Sequence, residues 1–220
     1  RIAIVLGGVS GSVGWKMVKS GLKQDTVLVN PVNLMSHILV ATIIVAYVLR
    51  TALEYLYPKQ HHAYDANNRV LFVILIVLIF IQIAVGSLVA GSKAALVCTT
   101  WPSMSGHYYP AGIDFSIKDN IEFSVRMLLQ FIHRNIAYLI FFYVIFIFFR
   151  TKDVAAQFQF HRTRWLLLAM VLLQVILGIF TLLYTKGEIP VVLGVLHQLG
   201  AFLLLIFSIE GHYFIKYRAK

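Results

Sequence analysis

The chain has 220 residues, 60% hydrophobic and 13% charged, with 19 lysines and arginines against 9 acidic residues and a formal net charge of +10. Repeated apolar runs of about 20 residues with few charges describe a polytopic helical membrane protein and exclude a β-barrel, whose strands alternate over about 10 residues. The basic residues gather at helix ends and in short loops with no basic stripe, which argues against nucleic acid as a partner, and the lone Cys98 excludes an intramolecular disulfide and a thiolate metal cluster.

Six spans follow in order. The first, about 2–18, carries Gly7, Gly11 and Gly14 three or four residues apart. One helix face is therefore nearly bare, open to close approach by another helix or by a planar ligand. The second, about 33–55, is entered through Pro31 and Asn33, which suit a helix start, and sets His37 one turn inside. The third, about 69–92, is almost purely aliphatic and ends in Gly86-Ser87-Leu88-Val89-Ala90-Gly91. The fourth runs about 122–149, the fifth about 165–184 and the sixth about 189–215.

Charge sorts the connections between them. Arg50, Lys59 and Arg69 flank one, Arg150, Lys152, Arg162 and Arg164 another, and Lys216, Arg218 and Lys220 close the chain. The intervening loops offset lysines with Asp25, Asp114, Asp119 and Glu188. The positive-inside rule then predicts that both ends of the chain face the cytoplasm, or the matrix in a mitochondrion. His37, His133 and His197 fall toward the outer ends of their helices, at a common depth.

His133 and His197 each sit in an apolar run, where an ionisable residue is costly and by default functional. Two imidazoles from facing helices are what bis-axial ligation of a haem iron requires. The competing reading is a pair of core histidines bonded to backbone or hydroxyl groups. Gly194 and Gly200, three residues either side of His197, and Ala137, four beyond His133, are predicted to leave room for a porphyrin face. His37 is read as a ligand at a second haem or substrate site. Arg134, one residue past His133, points about 100° away around the helix, toward a haem propionate or toward headgroups. His61, His62, His107 and His161 are read as solvated loop residues. His212 has no evident partner at its depth, which argues against a second haem stacked in the same bundle.

An internal repeat is visible. Pro31 precedes His37 as Pro190 precedes His197, with a glycine-bearing span before each, so spans one and two correspond to spans five and six. Spans three and four then lack counterparts, which predicts two further helices, one with a fourth histidine, ahead of residue 1.

Several segments resemble the haem A synthase family. Gly14-Trp15-Lys16-Met17-Val18-Lys19-Ser20-Gly21-Leu22 resembles its Gly-Trp-x-Met-Val-x-Ser-Gly-Leu signature. Val89-Ala90-Gly91 followed by Trp101-Pro102-Ser103-Met104 resembles its outer loop. The pair His133-Arg134 and the segment Leu196-His197-Gln198 match where the family keeps haem ligands, and His37 matches a histidine of its N-terminal bundle.

The resemblance implies an all-α integral membrane protein of eight helices in two pseudosymmetric four-helix bundles, of which six helices are visible. Residues 1–57 would be half of a first, substrate bundle, 58–68 a cytoplasmic linker and 69–216 a second bundle holding haem b. It implies oxidation of the C8 methyl of haem O to a formyl group, giving haem A for cytochrome oxidase in a bacterial plasma membrane or mitochondrial inner membrane. Lipids, and haem O synthase or oxidase assembly factors, would be its partners, together with an unidentified electron donor, and a homo-oligomer is compatible. The family's catalytic glutamate lies on a helix with no counterpart in this sequence. The chain departs from the family at Lys93 and Ala95, at the unpaired Cys98, and at Ser10, where a glutamine is common. Rival readings are a b-type cytochrome subunit that only transfers electrons and a non-catalytic haem-binding homologue in a respiratory assembly.

Overall fold

In the computed structural model the described residues are 2–22, 29–57, 66–154 and 158–215. They form six long helices: α1 (Ile2–Gly21), α2 (Pro31–Leu56), α3 (Ala66–Gly91), α4 (Ile121–Arg150), α5 (Phe158–Leu183) and α6 (Val191–Phe214), with no β-strand among them. The segments Pro31–Leu56, Asn68–Gly91, Lys118–Arg150, Phe158–Leu183 and Val191–Phe214 are each long and apolar enough to cross a membrane. In α1, glycines, serines, Lys16 and Lys19 dilute the aliphatic residues, and it is not among those five. The chain is an all-α integral membrane protein, whose spanning helices satisfy their backbone groups internally as a bilayer demands.

Local chemistry sets the helix ends. The side-chain oxygen of Asn30 accepts from the amides of Val32 at 2.9 Å and Asn33 at 3.3 Å, while Pro31 occupies the first turn of α2 without wasting a donor. His37 and His197 each lie six residues past the first residue of their helix, α2 and α6, so the sequence repeat is also a repeat in space. At the end of α4, Thr151 closes the last turn by donating its hydroxyl to the Ile147 carbonyl.

Helices α3, α4, α5 and α6 pack in a ring, each against the next and α6 back against α3. Helix α2 lies against α3 and α6, and α1 against α2. The ring is filled at one end by Phe72, Leu75 and Ile79 of α3, Val144 and Ile147 of α4, Leu167 and Met170 of α5, and Leu205, Ile209 and Phe214 of α6. Gly211 lets α6 approach so closely that a Cβ there would collide with the Phe72 ring. On the other face of α3, Val70, Val73, Ile74, Val77 and Ile81 form an exposed stripe at helical spacing, the face a lipid-exposed helix presents.

Helix α5 begins at Phe158, seven residues before the start read from hydropathy. Its polar first turns are held by specific partners. Thr163 donates to Glu210 of α6 at 3.0 Å, and the Arg164 guanidinium lies over the Phe148 ring at 4.7 Å. His161 is consequently helical rather than in a loop, and accepts from the Trp165 indole at 3.2 Å. His212, for which the sequence offered no partner, accepts from Arg69 at 3.1 Å. Lys23, Asp25, Lys59, His61, His62 and the terminal Lys216, Arg218 and Lys220 lie outside the described residues, as does most of the 58–68 linker.

Candidate functional site

At the other end of the ring, nearer the long 92–120 loop, α4 and α6 bring His133 and His197 together with ring centroids 6.3 Å apart and planes at 80°. Two metal–nitrogen bonds of about 2 Å, carried through to the ring centroids, span roughly the same distance. Both Nδ1 atoms are buried without a hydrogen-bond partner. Buried polar atoms are almost always satisfied, so two unpartnered imidazole nitrogens on facing helices mark a place for a ligand. The donor set fits a haem iron held from both sides: neutral nitrogen ligands, no competing carboxylate, and apolar walls. Among the described residues no group of three or more histidines, cysteines or carboxylates is placed to hold a bare metal ion.

Each of these imidazoles rests on a glycine of the preceding helix. A Cβ on Gly86 of α3 would stand 2.9 Å from Cε1 of His133, and one on Gly178 of α5 would stand 3.0 Å from Cε1 of His197. The third histidine repeats the arrangement: Gly14 of α1 faces His37 of α2, with a Cβ only 3.0 Å from Cε1, and His37 Nδ1 is likewise buried and unpartnered. So Gly14 is a seat for an imidazole, whereas Gly7 and Gly11 have nothing within 4 Å and keep the bare face read from the sequence, and Gly8 beside them is equally open.

Two glutamines, which the sequence reading passed over, complete the seats. Gln82 Nε2 donates to the His133 carbonyl at 3.0 Å, and Gln174 Nε2 donates to the His197 carbonyl at 2.8 Å. Each precedes its glycine by four residues, on the same helix face. The signal was present in the chain as Gln82-x-x-x-Gly86 and Gln174-x-x-x-Gly178, two polar residues inside otherwise aliphatic spans. Gly200 does not leave open space beside His197, as its spacing had suggested. A Cβ there would strike the Gln174 amide oxygen and stand 3.0 Å from Met170. Gly194 does face open space, with nothing within 4 Å.

The loop is fastened to α4 on the turns flanking His133. Gln130 donates to the carbonyls of Ala94 at 3.3 Å and Cys98 at 2.8 Å. Arg134 donates to the Ser103 carbonyl at 3.4 Å and to Gln130 at 3.2 Å, which leaves its Nε buried and unpartnered. Tyr108 donates to Asn135, and the Trp101 indole donates to the Tyr138 hydroxyl at 3.1 Å. Cys98 is buried beside Met104 and Met127, where it packs as a small hydrophobe. The loop thus roofs the histidine end of α4, and Arg134 belongs to the roof.

The chain matches the family model described as cytochrome oxidase assembly protein over residues 1–209. It is 38% identical over 208 residues to the haem A synthase of Azorhizobium caulinodans, covering 92% of this chain and 57% of that protein. It is 35% identical over 207 residues to the haem A synthase of Neorickettsia sennetsu, covering 92% and 59%, and 34% identical over 209 residues to that of Flavobacterium johnsoniae, covering 93% and 60%. The chain therefore spans under two thirds of the length of these relatives. No solved structure matches it. The chain belongs to the cytochrome oxidase assembly protein family, the family of the haem A synthases.

Proposed function

We propose that the protein is a haem A synthase, oxidising the C8 methyl of haem O to a formyl group and so supplying haem A for cytochrome oxidase. The observation that carries the haem reading is the His133–His197 pair, 6.3 Å apart with both Nδ1 atoms buried and unpartnered. These two residues would hold a haem b within α3–α6, the second bundle. Held by these two histidines, such a haem would supply a one-electron couple suited to electron relay.

The remaining residues bind and shield. Gln82 and Gln174 fix the backbone from which the ligand imidazoles project, and Gly86 and Gly178 make space for the rings. The 92–120 loop keeps water from the outer edge, with Arg134 Nε available to a propionate by a charge-assisted bond. His37 serves the substrate haem in the first bundle, to which α1 and α2 belong. The open face of Gly7, Gly8 and Gly11 admits the isoprenoid tail of haem O laterally from lipid. Both termini face the cytoplasm or matrix.

The test uses the full-length protein purified from cells that also make haem O, with its haems extracted and separated by chromatography. Haem A, or its alcohol precursor, in the extract supports the synthase reading. Unmodified haem alone, alongside a b-type signal, would replace it with that of an electron-transfer cytochrome or a non-catalytic homologue.

A further inference from the structure

The ends of four helices meet in a row beside the long loop. Helix α1 packs on α2, α2 on α3 and α3 on α4. At this level α1 and α3 end, at Gly21 and Gly91, and α2 and α4 begin, at Pro31 and Ile121. Between these ends lies a cleft of about 520 Å³, whose polar lining is Ser20, Asn30, Ser92, Lys93, Glu122 and Arg126. Its floor is closed where α2 and α3 touch, since a Cβ on Gly91 would stand 2.8 Å from the Pro31 Cα. The cleft lies outside the seat of His37: Ser20 follows Gly14 by six residues, which turns it about 120° away from the face that meets the imidazole.

The charges of the cleft do not balance. Arg126 pairs with Glu122 one turn back on its own helix, while its Nε is buried without a partner. The Lys93 side chain is exposed and makes neither an ion pair nor a hydrogen bond among the described residues. Two cations thus stand against one carboxylate. The amino end of α4 adds to the same sign, because Asn120 lends no side-chain cap to its first amides. The hydroxyls are already engaged: Ser20 donates to the Met17 carbonyl at 2.6 Å and accepts from the Asn30 amide at 3.1 Å, and Ser92 donates to the Leu88 carbonyl at 2.7 Å. What the lining offers an incoming group is positive charge and N–H donors, and the ligand it fits carries an anionic oxygen.

Below the cleft the surface is apolar. Ile81, the last member of the exposed stripe on α3, lies eleven residues before Ser92, three turns and about 20° around, so the stripe leads up to the cleft. On α4, Val125 lines the cleft and heads a second exposed row, Val125, Ile132, Leu139 and Phe146, at seven-residue spacing. A cationic cleft at the ends of membrane-spanning helices, above two lipid-facing rows, matches a phospholipid, with phosphate in the cleft and acyl chains along α3 and α4.

We propose that the cleft between the ends of α1, α2, α3 and α4 binds the headgroup phosphate of an anionic phospholipid, gripped by Lys93 and Arg126. The proposal is independent of the haem reading. A lipid seated there bridges the α1–α2 pair and the α3–α4 pair, and so stabilises the junction between them.

The test titrates the full-length protein in detergent separately with phosphatidylglycerol, phosphatidylcholine and inorganic phosphate. Bound lipid is counted by native mass spectrometry, and thermal unfolding is followed by circular dichroism. Wild type is expected to retain phosphatidylglycerol and to unfold at a higher temperature in its presence, with little response to the other two. Lys93→Gln and Arg126→Gln are each expected to weaken phosphatidylglycerol binding about fivefold, and the double variant by the product of the two. Lys118→Gln removes a cation from the same end of the molecule that does not line the cleft, and is expected to bind as wild type does. Lys93→Gln, on an exposed side chain, keeps the test intact if the Arg126 variant fails to fold.

Phosphatidylglycerol binding unchanged in the double variant, or in Lys93→Gln where only that variant folds, would overturn the proposal. An equal loss in Lys118→Gln would replace the site with diffuse surface charge. A wild-type response to inorganic phosphate as strong as that to phosphatidylglycerol would assign the cleft to a soluble anion and overturn the lipid. Loss of the haem b spectrum from folded Arg126→Gln would assign that cation to a haem propionate and overturn the lipid in the same way.

Discussion

The two ends of the α3–α6 ring are built from the same helices and behave as opposites. At one end Phe72, Leu75, Ile147, Leu205 and Phe214 are essentially without exposed surface, and Gly211 serves only to bring α6 against the Phe72 ring. At the other end glycines at 86 and 178 serve imidazoles, and polar atoms are left buried without partners. Small residues thus do two different jobs in one bundle. Where a large apolar ring faces the glycine the result is packing; where an imidazole faces it the result is a seat for that ring. A close-packed end can hold helices at fixed spacing while the other end retains unsatisfied donors and acceptors, since each helix is long enough to do both.

Substitutions at the two ends are expected to separate stability from haem binding. The largest effect is expected for Phe72→Ala, which opens a cavity against Gly211 and Phe160 and should lower stability by about 3–5 kcal/mol. Its thermal unfolding midpoint should fall while the haem b spectrum of the folded fraction stays as in wild type. A changed spectrum would mean that the two ends are coupled. Next come Gly86→Val and Gly178→Val, in which the new side chain collides with the ligand ring. Haem b affinity should fall about 10–100-fold, as for other changes in the support of a metal ligand, with helix content retained. Full haem retention in both would show that the glycines are packing residues after all.

Gly11→Leu tests the open face of α1. No described atom lies within 4 Å of the position, so helix content and haem b should be unaffected. Conversion of haem O should fall several-fold if the face admits the substrate tail, and unchanged conversion would remove that role. The smallest effect is expected in the roof. Hydrogen bonds from the Ser116 hydroxyl and amide hold the Asp114 carboxyl below its ordinary pKa. Its contribution to loop order is therefore present above the unfolded-state value and is lost as pH falls through the lower folded value. The protection of the Ser116 amide, its exchange relative to the intrinsic rate at each pH, should be unchanged from neutral pH down to the ordinary carboxylate range and should fall only below it. A loss of protection beginning near neutrality would point to another group.

Much of this arrangement could be read from the chain. Length and apolarity revealed the helices, because a bilayer imposes both, and the proline-to-histidine spacing revealed the relation between α2 and α6. The start of α5 was hidden because Thr163 and Arg164 look like loop residues until Glu210 and Phe148 are placed beside them by the fold. Gly200 was misread for a similar reason. A glycine near a ligand histidine marks space, but only the partner helix determines what fills it, and here that is Gln174. His133, His197 and His37 stood out because an imidazole in an apolar run is expensive. Gln82 and Gln174 carry the same kind of cost, yet an uncharged amide draws less notice than an ionisable ring, and their bond is to a carbonyl that no sequence pattern displays. Arg134 was read as reaching a propionate or headgroups; the structure ties two of its nitrogens to the loop and to Gln130 and leaves its Nε buried without a partner.

The central claim, that His133 and His197 grip one haem between them, is tested most directly by the reduced-minus-oxidised spectrum of the full-length protein beside those of His133→Ala and His197→Ala. A single b-type signal present in wild type and lost or converted to a five-coordinate spectrum in each variant alone is the predicted result. A six-coordinate b-type signal that survives either substitution unchanged would contradict it.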